Sequence, residues 1–231
     1  MGRNILLTII DDTARGKFLS LLVALLLYIG VSPVIDRLIR FPFVFDIFFS
    51  IILISGVFAV SRTRRHAVVA LLLAVPLFAT IWLNTHFQQT WLTAAMGVVW
   101  ILFFGYTLVL FLTYIFAATH ISRDVLYAAS VAYLLMGMLW AGIYLLTETI
   151  APDSFNLAAA DRAKPGILFV YYSFVTLTTL GYGDVTPTAD YAYAFAILQA
   201  VVGQLYLAIL IARLVGIYKS GAPDASPPEG T

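Results

Sequence analysis

The chain has 231 residues, is 62% hydrophobic and only 11% charged, and carries a formal net charge of +1. With a mean hydropathy of +0.97 it holds more apolar surface than a soluble domain of this size can cover, which excludes that class and points to a polytopic membrane protein. The near-neutral charge gives no reason to expect nucleic acid as a partner, and the absence of cysteine excludes disulfides and thiolate metal sites.

In chain order, residues 1–16 read as a cytoplasmic amino-terminal segment. A helix needs about 20 mainly apolar residues to cross the hydrocarbon. The first such stretch is 17–35. Its part 18–31 follows Arg15 and Lys17 and imitates a signal-peptide core, but Val31-Ser32-Pro33 is a poor small-residue cleavage site, so it reads as a span. The second, 41–60, contains Asp46 about one turn from its outer end, within reach of Arg37 or Arg40, which suits interfacial pairing or else proton sensing. The basic cluster Arg62-Thr63-Arg64-Arg65 then forms a short loop before the third stretch, 67–83. The fourth, 91–119, contains no Lys or Arg. A span that moves charge through the membrane field carries basic residues at every third position, so this one is not expected to sense voltage. Together, residues 17–120 read as a four-helix membrane domain without sensor charges.

A link of only about 120–124 leads to the fifth stretch, 125–147. It leaves no room for a long amphipathic linker helix, so each four-helix bundle is expected beside the following helices of its own chain. Pro165 then opens 165–178, too short to cross and suited to a helix that enters the membrane and turns back. The last stretch, 189–218, closes a second unit at 121–219, and residues 220–231, rich in Pro, Gly, Ser and Ala, read as a disordered cytoplasmic tail. The sequence therefore predicts an all-α membrane protein with six spans and one re-entrant helix. With the amino terminus inside, Arg3, Arg15, Lys17, Arg62, Arg64, Arg65, Arg123, Arg213 and Lys219 face the cytoplasm, against Arg37, Arg40, Arg162 and Lys164 outside. That bias follows the positive-inside rule and puts both termini in the cytoplasm.

Between the short helix and the last span lies TLTTLGYGDVTP, residues 176–187. Its centre, Thr179-Leu180-Gly181-Tyr182-Gly183, reads as a potassium selectivity filter. A dehydrated ion must be held on rings of backbone carbonyls, and a strand whose carbonyls all point one way is easiest where residues lack a Cβ. Two glycines at alternate positions meet that need, and the Thr179 hydroxyl adds an oxygen. No nucleophile–base pair, phosphate-binding loop or carboxylate pair stands out, His66, His86 and His120 have no metal-ligand spacing, and no enzyme or cofactor is expected.

From 125 to 218 the chain resembles the pore module of the potassium channel superfamily, most specifically over YYSFVTLTTLGYGDVTP, residues 171–187. The resemblance implies a homotetramer around one axis, with K+ coordinated by the carbonyls of Thr179, Leu180, Gly181 and Tyr182. It implies that Tyr171 and Tyr172 form an aromatic collar supporting the filter with Thr178, and that Asp184 lines the outer mouth. Gly203 matches the gating hinge or serves packing, Gln204 faces the cavity, Gln199 bonds between helices, and Arg213 either snorkels or acts at the inner gate. Val175 stands where some members carry a buried carboxylate, so Asp184 lacks that partner. The expected function is passive K+ conduction in a prokaryotic-type cell membrane, with lipids and an unidentified regulatory subunit as further partners. Left open are a non-selective cation channel, a subunit of a potassium-uptake transporter, and a regulatory subunit that never conducts alone.

Overall fold

The computed structural model describes residues 17–38, 43–60, 63–87, 89–158 and 165–220. The segment 1–16, Arg40, Arg62, Arg162, Lys164 and the tail 221–231 lie outside the described residues, as do the side chains of Arg37, Asp46 and Lys219. Helices α1 (Lys17–Leu38), α2 (Phe43–Val60), α3 (Arg64–Phe87), α4 (Thr90–Ala117) and α5 (Arg123–Ile150) are followed by strand β1 (Phe155–Asn156). The short helix α6 (Pro165–Leu177), strand β2 (Thr186–Pro187) and the long helix α7 (Asp190–Ser220) complete the order. Helices α3, α4, α5 and α7 each contain a window long and apolar enough to cross a membrane.

The helices are legible from their apolar runs, but their ends are set by hydrogen bonding. Thr63 caps α3, its hydroxyl accepting from His66 N–H at 3.4 Å and its carbonyl from Ala67 N–H at 3.1 Å. The helix therefore starts at Arg64, inside the basic cluster that reads as a loop, and ends beyond residue 83. Ser122 caps α5 by accepting from Val125 N–H at 3.3 Å. At the other end of α5, Glu148 takes the Asp153 and Phe155 N–H groups at 3.0 and 3.1 Å, which turns the chain into β1. Hydroxyls inside the helices are satisfied locally: Thr107, Thr113 and Thr147 each donate to the carbonyl four residues earlier.

Helices α1 to α4 pack in sequence, and α5 is the hub that joins them to the rest. One side of α5 meets α4 and α1, and it also carries α6 and α7. Within the chain, the bundle rests on α5. Trp100 of α4 anchors that contact. It stacks on Phe49 of α2 with ring centroids 4.6 Å apart, packs on Phe104 at 5.2 Å, and donates its indole N–H to Met138 O of α5 at 2.5 Å. Gly142 makes the approach possible, because any Cβ there would collide with the Trp100 ring. In a bilayer such close backbone approach is a main source of helix association.

Gly142→Val is expected to destabilise the chain by about 1–3 kcal/mol through overpacking. A fall in the thermal unfolding midpoint in detergent checks this, with Gly30→Ala as a neutral control because a Cβ there meets nothing within 4 Å.

Candidate functional site

The glycine-rich segment is suspended between two fixed points. Its entrance is the C-terminus of α6, where Thr178 N–H donates to Phe174 O at 3.0 Å and Thr179 N–H to Thr176 O at 3.0 Å. Val175 O receives both Leu180 N–H, at 2.9 Å, and Gly181 N–H, at 3.3 Å. The Thr178 hydroxyl is spent on Phe174 O at 2.7 Å. The exit is pinned by β2, which pairs antiparallel with β1 in the register Phe155↔Pro187 and Asn156↔Thr186. Thr188 reinforces the clamp, its N–H donating to Ser154 O at 2.8 Å and its hydroxyl to Asp153 O at 2.6 Å.

Between these points the backbone alternates. Thr179, Gly181 and Gly183 have φ of +60°, +57° and +79°, while Leu180 and Tyr182 between them do not enter the positive region. Alternation of hand along a strand turns successive carbonyls to the same side, instead of to opposite sides as in a pleated strand. Glycine takes the left-handed conformation freely. A β-branched residue such as Thr179 does not, and is strained there. The sequence identifies the two glycines, but it carries no sign that the alternation begins at a threonine.

The residues around the segment divide into two shells. Tyr171 donates its hydroxyl to Asp184 Oδ2 at 2.6 Å, and Asp184 Oδ1 accepts Val185 N–H at 3.0 Å. Asp184 is therefore tied down, with a phenol as partner where the sequence offers no buried carboxylate. That bond, with some burial, pushes the Tyr171 phenol up to about 12, so it keeps the proton it donates. Tyr172, next in sequence, turns the other way. It is buried against Tyr144 at 4.9 Å and Phe155 at 5.5 Å, within an aromatic cluster that includes Phe169. One residue braces the segment directly; its neighbour fixes the helix that carries it.

Behind α6 lies a buried polar network absent from the sequence reading except for Gln199. Tyr144 of α5 donates to Gln199 Oε1 at 2.5 Å. Gln199 Nε2 of α7 donates to Ser173 O and Oγ at 3.0 and 2.7 Å, and Ser173 donates to Gly137 O of α5 at 2.7 Å. Tyr133 adds a bond to Leu177 O, the last residue of α6, at 3.2 Å. The available signal was polarity itself, since a serine or tyrosine inside an apolar helix must find a partner.

Gly203 is buried on α7, where a Cβ would lie 2.7 Å from Leu177 Cδ1 and 3.1 Å from Leu177 O. Its observed duty is close packing of α7 against the end of α6, and α7 continues through it as one helix. Gln204 is exposed on the single chain, as are Thr178 to Asp184. Arg213 lies at the far end of α7 and bonds to the α4 terminus. Among the described residues no cluster of three or more His, Cys, Asp or Glu side chains is arranged to hold a metal ion.

Gln199→Leu strands the Tyr144 hydroxyl at full burial, expected to cost about 1–3 kcal/mol, while the Ser173 hydroxyl keeps its bond to Gly137 O. Tyr171→Phe removes one exposed bond and is expected to cost less. Thermal midpoints of the two purified variants, compared with the parent, check the order.

Residues 163–219 match a protein family described as ion channel. A 103-residue stretch is 35% identical to Protein LctB of Bacillus caldotenax, covering 42% of this chain and 76% of that protein. Two-pore potassium channel 2 of Arabidopsis thaliana is 34% identical over 88 residues, covering 38% of this chain and 18% of that one. Two-pore potassium channel 3 from the same plant is 32% identical over 100 residues, covering 42% and 21%. The chain thus spans about a fifth of the length of these two-pore relatives, and no solved structure matches it. The ion-channel match spans α6, the glycine-rich segment and α7, and together with these relatives it places this membrane protein in the potassium channel superfamily, whose pore module it carries.

Proposed function

We propose that four copies of this chain form a K+-selective channel, with the carbonyls of Thr179, Leu180, Gly181 and Tyr182 and the Thr179 hydroxyl as the ion sites. The alternating hand of Thr179, Gly181 and Gly183 carries this reading, because one strand of aligned carbonyls is one quarter of a ring of oxygens. Four such strands substitute for the hydration shell of a K+ ion, and ions in adjacent sites repel one another onward. The C-terminus of α6, the negative end of its dipole, lies at the start of the strand, which favours a cation below the filter.

The need for partner copies rests on what one chain leaves uncovered. Leu180 and Tyr182 are 55% and 67% exposed, although the ring of Tyr182 must pack somewhere to brace its strand. The most apolar window of α7 is only 17% buried in a single chain. Closed four-fold symmetry covers both, with each copy offering the same surface to the next. In this reading α1 and α2 also cross the bilayer, giving six spans with both termini in the cytoplasm of a prokaryotic-type cell membrane. The four-helix bundle stays beside its own pore helices and contributes no voltage sensing; membrane lipids and a regulatory subunit are its candidate inputs. The intact Tyr182 favours K+ selectivity over the non-selective alternative, and a single glycine-rich segment per chain disfavours the uptake transporter.

Vesicles holding the purified protein are expected to pass K+ well ahead of Na+, with block by barium. Tyr182→Asp is expected to lower that preference by at least tenfold in reversal-potential measurements. Equal leakage of both ions from parent vesicles, or a stable monomer by mass measurement in the bilayer, would overturn the proposal.

A further inference from the structure

Arg213 lies in the C-terminal third of α7, at the end far from the glycine-rich segment. Its Nη2 donates to Phe116 O at 2.6 Å and to Ala118 O at 2.9 Å, 97 and 95 residues away in sequence. The guanidinium carbon stands 5.3 Å from the Phe116 ring centroid. Both acceptors belong to the C-terminal end of α4, where helix carbonyls lack intrahelical donors and the macrodipole is negative. A guanidinium there satisfies the carbonyls, complements the dipole and stacks on the ring. Helices α4 and α7 otherwise meet chiefly through α5, so this is a direct tie between the peripheral bundle and the far end of the central helix.

The turns of α4 next to that tie have room to move. A cavity of about 240 Å³ opens beside them, bounded by Phe111, Tyr114 and Ala117 of α4 with Phe18 of α1 and His66 of α3. Side chains facing a void lack contacts on one side, so a shift of the α4 terminus meets little packed resistance. A rigid tie attached to a yielding support is suited to pass displacement from one helix to the other.

From this geometry we infer that Arg213 is a gating latch: it fastens the far end of α7 to the end of α4 and holds the conducting state. The inference rests on reading α7 as the central helix of a four-fold channel. Closing such a pore at its inner end requires the four α7 termini to converge on the axis. Convergence draws Arg213 away from α4 and breaks two charge-assisted bonds in every subunit, so the latch opposes closure. Displacement of the α4 terminus then sets how firmly the pore is held open. Arg213 acts on permeation only through the position of α7, and is a positioning residue.

Single-channel recording of the full chain in planar bilayers tests this. Arg213→Met is expected to lower the open-to-closed ratio at least tenfold, with unit conductance and K+ over Na+ preference unchanged. Arg213→Lys, which keeps the charge and reaches one carbonyl, falls between Arg213→Met and the parent; Phe116→Leu, which keeps both bonds and loses the ring, also lowers the ratio. Parent-like gating in Arg213→Met overturns the latch, as does an effect confined to conductance, which would make Arg213 a charge acting on passing ions. If Arg213→Met does not assemble, unchanged gating in both Arg213→Lys and Phe116→Leu overturns it.

A second readout needs no current. The chain has no cysteine, and a Cβ at Gly216 meets nothing within 4 Å, so spin labels at Ile121→Cys and Gly216→Cys report the α7 end against the α4–α5 link. Arg213→Met is expected to lengthen and broaden that distance, and identical distributions overturn the latch. A parent without K+-selective current whose distance still shifts leaves the tie between α4 and α7 standing and removes the pore reading, and the gating role with it.

Discussion

The hydrogen-bonded chain Tyr144–Gln199–Ser173–Gly137 is the interaction on which the rest of the pore module depends. Each of its side chains is fully buried, and together they join α5, α6 and α7. In an apolar surrounding a polar group left alone costs far more than the net gain of one made bond, so such a network is stable chiefly when complete. Completing it admits one relative position of the three helices. That position puts the C-terminus of α6 where the glycine-rich segment starts. The aromatic cluster of Tyr144, Phe155, Phe169 and Tyr172 packs around the same spot, so polar direction and apolar bulk agree.

A rigid surround is needed because the segment itself is weakly held. Its residues from Thr178 to Asp184 are exposed in one chain and include a threonine in a left-handed conformation. Conformations of that kind persist only where neighbours over-determine them. Here the neighbours act at the two ends. Val175 O gathers the first amides, while the β1–β2 pair and the Tyr171–Asp184 bond anchor the last residues. The middle is left with its carbonyls free of internal partners, as a site built from main-chain oxygen requires.

The bundle of α1 to α4 differs in kind. Its contacts are dominated by aromatic and aliphatic packing around Phe49, Trp100, Phe103 and Phe104, and two of its links to the pore module are unlike each other. One is the broad α4–α5 contact centred on Trp100 and Gly142. The other is the single side chain of Arg213 at the far end of α7. The first holds the bundle against α5. The second reaches α7, and it does so beside a cavity, where packing yields most easily.

Much of this was written in the order of residues alone. Hydrocarbon thickness demands long apolar runs, so the helices were readable to within a few positions, and the run opened by Pro165 was readable as a shorter helix. Two glycines on either side of Tyr182 announced the unusual backbone. What remained hidden depends on which atoms meet across helices. The motif separates Thr179 from Thr178, but nothing in a threonine announces that Thr179 adopts the left-handed form and Thr178 does not. Tyr171 and Tyr172 are identical residues with opposite duties, one at the mouth and one in the core. Gly203 reads equally as a hinge or a contact point until Leu177 is seen against it. Arg213 reads as an interfacial cation until the α4 carbonyls appear beside it. Sequence determined composition along the membrane normal, because burial in lipid selects for apolar character residue by residue. Tertiary structure alone decided the pairings, because a hydrogen bond or close packing contact depends on two positions far apart in the chain arriving at one place.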